Sequence, residues 1–149
     1  MVTDITKGYH MHYAGFWKRF FAFIIDSFLL GILTFIILFF LGFVIGGILA
    51  SPEIVMQISD YGLPVNIIIV WLYFALQESS EKQATLGKRL LGIYVTDSSG
   101  EPIGFAQATI RYFGKYLSSI MMIGFIMIAF TARKQGLHDM LADTLVLDR

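Results

Sequence analysis

Charged residues are unevenly spaced along the chain, and the gaps between them predict its elements. From Ser27 to Pro52 there is no Asp, Glu, Lys or Arg, and Phe, Leu and Ile fill most positions. About 20 apolar residues suffice for a helix to cross a bilayer, so a first span is predicted over about residues 21–50. Ser51-Pro52-Glu53 is expected to end it, leaving a loop to Asp60. A second uncharged run, Tyr61 to Gln77, predicts a short second span, with Pro64 near its start and Trp71 and Tyr73 toward its far end as an aromatic belt. The third run is Tyr116 to Ala132.

Between the second and third runs lies the largest polar segment, residues 78–115, with Lys82, Lys88, Arg89, Arg111 and Lys115. Lys88-Arg89-Leu90-Leu91 suits a short interfacial helix, basic on one side, with anionic lipid as the partner expected at Lys88 and Arg89. Leu91 to Thr96 is β-prone, Asp97-Ser98-Ser99-Gly100 is a turn, and Glu101-Pro102-Ile103 is a weak return strand that its proline confines to an edge. A helical pattern starts near Phe105 and carries Arg111. The tail, residues 133–149, is expected to hold a short helix from Gly136 to Ala142 and a β-prone end from Thr144 to Leu147.

Lys and Arg mark the cytoplasmic side of a membrane protein. The N-terminus, the 78–115 segment and the tail are basic, whereas the 51–60 loop carries only acids. The first two spans therefore form a hairpin with both ends in the cytoplasm. The third block is basic on both flanks, so it either crosses once or dips in and returns, and the two β-prone pieces pair only if they share a side. The expected fold class is an all-α membrane protein: a transmembrane hairpin plus a third apolar helical block, with a small cytoplasmic β-prone segment, all in one domain over residues 1–149.

Composition supports that class. The chain is 56% hydrophobic and 15% charged, against about 45–50% and about a quarter in soluble domains. A formal net charge of zero argues against nucleic acid. The absence of Cys excludes disulfides and thiolate chemistry. The first apolar run lacks a cleavage site and reads as a retained span rather than a signal peptide.

Candidate chemistry begins with Arg19 and Asp26. Seven residues apart, they point to within about 20° of one helix face where the chain enters the membrane. A carboxylate there calls for a partner. Asp26 is either a structural tie, bonded to Arg19 or to a basic residue of a neighbouring element, or an ion or proton site. In the tail, Asp139 suits the start of a short helix, or reaches back to Arg19 or Arg111. His138 and Asp139 are adjacent and do not share a helix face. Gly42 and Gly46 form a GxxxG pair, for packing on the second span or for dimerisation. Asn66 is expected to bond across to another helix. His10 and His12 have only the spacing of a weak metal pair, and no metal or cofactor is expected. Gly87-Lys88 lacks the rest of a phosphate-binding loop. No paired inward carboxylates, HExxH pattern or Ser–His–Asp arrangement is visible, so an enzyme is not expected.

The stretch Tyr13-Ala14-Gly15-Phe16-Trp17-Lys18-Arg19-Phe20-Phe21-Ala22-Phe23-Ile24-Ile25-Asp26 resembles the opening motif of the RDD family of small bacterial membrane proteins. Thr85-Leu86-Gly87-Lys88-Arg89-Leu90-Leu91-Gly92, with Arg111 further on, resembles its central part. Gln135-Gly136-Leu137-His138-Asp139-Met140-Leu141-Ala142-Asp143-Thr144 resembles its tail, with Asp143 where members often have Gly. The resemblance implies that Arg19, Asp26 and Asp139 are the Arg and two Asp that name the family. It implies a multi-pass protein of the bacterial inner membrane, and transport, sodium/proton exchange included. Two functions are expected: an ion-coupled transporter or transporter component, acting as a homo-oligomer on a monovalent cation or proton; or a non-transporting scaffold or partner subunit with a structural charge cluster. A lipid or cell-wall enzyme is a distant third.

Overall fold

A computed structural model describes residues 11–49, 52–121 and 123–149. His10 and the end of the first run at Ala50 lie outside them. Six helices and two strands follow in order: α1 (Phe16–Leu49), α2 (Pro52–Glu78), α3 (Leu86–Leu90), β1 (Ile93–Asp97), α4 (Phe105–Met121), α5 (Ile123–Phe130), α6 (Leu137–Leu141) and β2 (Thr144–Asp148). The chain is mostly helical. Among the described residues, α1 is the one helix long and apolar enough to cross a bilayer, with mean hydropathy 3.0 over its most apolar window; Gly62–Glu78 of α2 is a shorter apolar stretch.

Only one stripe of α1 is covered. Ala22, Asp26 and Leu30 are buried at a four-residue step, the repeat of one helix face. Beyond Gly31 nearly every described side chain is half-exposed or exposed, which suits contact with lipid. The predicted loop over residues 53–60 is instead helical, because α2 starts at Pro52. Proline is well placed at a helix start, where its missing N–H has no intrahelical partner to lose. Pro64 consequently lies inside a helix rather than at the start of one.

A small antiparallel sheet joins distant parts of the chain. Ile93 pairs with Asp148, Val95 with Val146 and Asp97 with Thr144. On the other edge of β2, Tyr13 bridges Leu147; Ala14 N–H donates to Val146 at 2.9 Å and Asp148 N–H to His12 at 2.8 Å. The return strand expected at Glu101-Pro102-Ile103 does not form. Glu101 instead accepts the Asp97 N–H and closes a turn, and on that same edge of β1, away from β2, the Val95 N–H is taken by the Gln83 carbonyl.

Two apolar clusters sit between these elements. One gathers Ala14, Ala22, Ala75, Ile93, Val95, Ile103, Ala108 and Val146; the other gathers Leu30, Phe74 and Tyr112. Trp71 belongs to their boundary, its ring beside Phe105 and Phe113 and its N–H donating to Thr109 at 3.2 Å. The pattern reading of Trp71 and Tyr73 as an outward aromatic belt is corrected: Trp71 packs inward on α4, and the Tyr73 hydroxyl turns to Asp26. Asn66 donates to Thr34 across the α1–α2 contact at 3.2 Å. Among the described residues, a Cβ at Gly42 or Gly46 would meet nothing within 4 Å.

Candidate functional site: two buried charge centres on one helix face

Arg19 and Asp26 share a face of α1, yet they do not meet. Seven residues advance a helix by about 10 Å, so each reaches a different neighbour. The single cluster expected from the sequence is two centres at two heights.

The upper centre is Asp26, 1% exposed. Its Oδ1 accepts from the Tyr73 hydroxyl at 2.8 Å and from the Gly87 backbone N–H at 2.8 Å; its Oδ2 accepts from the Thr85 hydroxyl at 2.5 Å. All three donors are neutral. Thr85 is also the N-cap of α3, taking the Lys88 N–H, so one hydroxyl starts the helix and fixes the carboxylate. Gly87 allows the approach: a Cβ there would collide with the Ala22 carbonyl and come within 3.0 Å of the Asp26 carboxyl.

The lower centre is an ionic network. Arg19 Nη1 lies 2.5 Å from Asp139 Oδ2, and Arg111 Nη2 lies 3.0 Å from Asp139 Oδ1. Arg111 Nε lies 3.3 Å from Glu78 Oε2 and Lys88 Nζ lies 2.6 Å from Glu78 Oε1, with Lys115 Nζ at 3.5 Å from the same oxygen. Lys115 also stands over the Phe74 ring, 4.5 Å from its centre. Arg111 Nη1 donates to Thr144 at 3.2 Å, and Asp139 Oδ2 takes the Gly136 N–H that starts α6 at 3.1 Å. A Cβ at Gly114 would lie 3.2 Å from His138 Cα, so the small residue lets α4 and α6 approach.

Four cations outnumber two carboxylates here. Burial pushes Lys88 down to about 7 against the pull of Glu78, with Arg111 and Lys115 adding to the depression. The Asp139 carboxyl is buried, which alone would raise it, but Arg111 and Arg19 together hold it below the usual carboxylate range. Arg19 Nη2 is buried with no hydrogen-bond partner among the described residues. Arg19, Arg111 and Asp139 are fixed charges, held by mutual attraction once water is excluded, whereas Lys88 is poised near neutrality.

His138 and Asp139 prove to be neighbours in space: His138 Nε2 lies 3.4 Å from Asp139 Oδ1, and Nδ1 meets the Ser118 hydroxyl at 3.2 Å. A Ser–His–Asp set that sequence spacing hid is therefore present. All three residues are buried, and Arg111 approaches the same Asp139 oxygen more closely than the imidazole does. Burial pushes His138 down to about 3, so its ring is neutral at pH 7. Among the described residues no three His, Cys, Asp or Glu form a metal-binding group.

A model of the RDD family matches residues 13–143. The chain belongs to the RDD family. It is similar to the uncharacterized protein YxaI of Bacillus subtilis (strain 168), at 40% identity over 90% of this chain and 96% of that protein. It is also similar to the uncharacterized membrane protein YteJ of the same organism, at 34% identity over 91% of this chain and 80% of that one. No solved structure matches. The RDD match and the long apolar α1 make this a membrane protein.

Of the three candidate cluster residues, the structure brings Arg19 and Asp139 together and keeps Asp26 apart. Arg111, a supporting candidate, is the hub between Asp139 and Glu78. Glu78, Tyr73, Thr85 and Lys115 escaped the sequence reading. Glu78 closes an apolar run, as a solvated boundary residue would, and Thr85 stands in a polar segment; neither spacing nor hydropathy separates such residues from surface ones. Lys88 is turned inward onto Glu78 and is 6% exposed, so the lipid contact expected at Lys88 is withdrawn, while Arg89 is exposed.

Proposed function

We propose that this RDD-family membrane protein is a small ion-coupled transporter, or a component of one, acting as a homo-oligomer. Asp26 is the exchangeable group, and the Arg19–Asp139 network is the fixed frame around it. The observation that carries this is the make-up of the Asp26 centre: a buried carboxylate held by two hydroxyls and one N–H, with no ion-pair partner among the described residues. A hydroxyl is both donor and acceptor. Tyr73 and Thr85 donate to the bare carboxylate, and each rotates to offer a lone pair when a proton or a monovalent cation arrives. The Ala22 carbonyl borders the same space and supplies a further oxygen. The basic residues around α3 and the tail support a cytoplasmic side for these parts, in a multi-pass inner-membrane protein with a cytoplasmic N-terminus. Arg89, between the exposed Leu86 and Leu90, is the contact for anionic lipid.

Purified protein in proteoliposomes, read by a pH-sensitive dye under sodium, potassium or lithium gradients, tests this. The wild type should show cation-dependent proton movement. Asp26→Asn should abolish it with the folded fraction unchanged, and Tyr73→Phe should alter its cation dependence. Proteoliposomes that move nothing under any gradient would sink the transport function.

A second function is favoured by the network itself. Arg19, Lys88, Arg111 and Lys115 are all engaged with Glu78 and Asp139, and they tie α1, α2, α3, α4 and α6 together. A non-transporting scaffold would need no more than that. It requires Asp26→Asn to lower abundance and to change no flux.

A further inference from the structure

The polarity of α4 is inside out. Ala108, Arg111 and Ser118 are buried and Lys115 is half-buried, whereas Ile110, Phe113 and Leu117 are each about half-exposed. Both sets recur at three- and four-residue steps, so they are opposite faces of one helix. A helix in water turns its charges outward. This one turns Arg111 and Lys115 onto Glu78 and shows aromatic and aliphatic side chains to its surroundings, as a helix bounded by hydrocarbon does.

The sheet limits where that hydrocarbon can be. β2 pairs with β1 on one edge and with residues 12–14 on the other. Strands hydrogen-bonded in one sheet lie on one side of a bilayer. Each segment between them must therefore return to the side it left. For the first segment this is straightforward, because α1 has 34 residues and α2 has 27. At 1.5 Å per residue α1 is about 51 Å long, well beyond a hydrocarbon core of about 30 Å, and the apolar part of α2, Gly62–Glu78, is about 26 Å, close to that thickness. The second segment has α4 with 17 residues and α5 with 8. The shorter leg is about 12 Å, less than half that core.

We infer that α4 and α5 form a re-entrant unit, seated in the acyl chains of one leaflet and returning to the side of the sheet without crossing. The occupant of the Ile110–Phe113–Leu117 face is lipid, continuous with the lipid that surrounds the outer part of α1. Arg111, Lys115 and Glu78 then lie beneath a lid that is greasy on its outer surface and charged on its inner one. This inference stands whether or not the protein moves an ion.

The chain has no cysteine, so single-cysteine variants carry one thiol each. Ser99→Cys in the exposed β1 turn, Arg133→Cys after α5 and Glu53→Cys at the start of α2 are labelled with a membrane-impermeant maleimide in intact cells and in inverted vesicles. Positions 99 and 133 should react from the same side and position 53 from the other. Spin labels on Ile110→Cys and Leu117→Cys in liposomes should be open to oxygen and closed to a water-soluble nickel complex, at depths short of the bilayer centre. Reaction of position 133 from the side of position 53 would overturn the inference. So would nickel access at 110 and 117, which means water, or closure to both reagents, which means a protein partner or a second copy. Folding of each variant is checked by monodisperse elution in detergent, and Phe130→Cys, 84% exposed, is a third depth position should either label disturb α4.

Discussion

The two centres on α1 share a helix face and differ in almost everything else. The Asp26 centre holds one carboxylate with neutral donors, all drawn from residues 73–87. The Arg19 centre holds four cations and two carboxylates, and its defining contact joins residues 120 apart in sequence. One centre is a charge solvated by dipoles; the other is a set of charges solvated by one another. Loss of a proton partner in the first leaves hydrogen bonds to rearrange, whereas loss of one charge in the second leaves bare ions in a dry interior.

Asp139→Asn is the hardest test of that contrast. It strands Arg19 and Arg111, and breaking a buried ion pair costs about 3–5 kcal/mol, so chemical unfolding in detergent should show that loss or no folded protein. Gly87→Ala comes next. Its Cβ meets the Ala22 carbonyl and Asp26, and overpacking costs about 1–3 kcal/mol, read by the same unfolding curve. Asp26→Asn keeps the shape and exchanges a carboxylate oxygen for an amide, at about 1 kcal/mol. A loss as large as that of Asp139→Asn would erase the distinction between the centres. Tyr73→Phe removes one hydrogen bond of three at Asp26 and should cost about 0.5–1.5 kcal/mol, at the small end of the series.

Acid probes the ionic centre without mutation. His138 titrates at an ordinary 6.5 when unfolded and at about 3 when folded, so the unfolded chain binds the extra proton between those values. Stability from this group is complete above pH 6.5 and drains away as pH falls toward 3. The sign is opposite to that of a histidine that gains an acidic partner. Melting temperature followed from pH 7 to pH 4 should decline, and His138→Asn should flatten the slope.

The long apolar α1, the shorter apolar stretch of α2, the start of α4 near Phe105 and the short helix at residues 137–141 were legible because hydropathy and turn residues mark them locally. Arg19, Asp26 and Asp139 stood out as charges in apolar or motif-bearing stretches. Their partnership did not, because angular position on a helix says which way a side chain points and nothing about the height of the neighbour it meets. Glu78 and Thr85 were invisible for a related reason: each sits at an element boundary, where polar residues are expected and a buried one has no distinctive neighbours in sequence. Pairing of β1 with β2 was conditional on sidedness, which residue pattern alone leaves open for a block basic on both flanks.

The bridge between Tyr13 and Leu147 also sets an order of events. A ribosome delivers Arg19 early and Asp139 120 residues later, with β2 last of all. α1 is thus complete while its arginine has no acid to meet and the edge at residues 12–14 has no strand to join. Closure of the sheet waits for β2. A stop codon placed before Thr144 would leave both β1 and residues 12–14 without the strand that joins them.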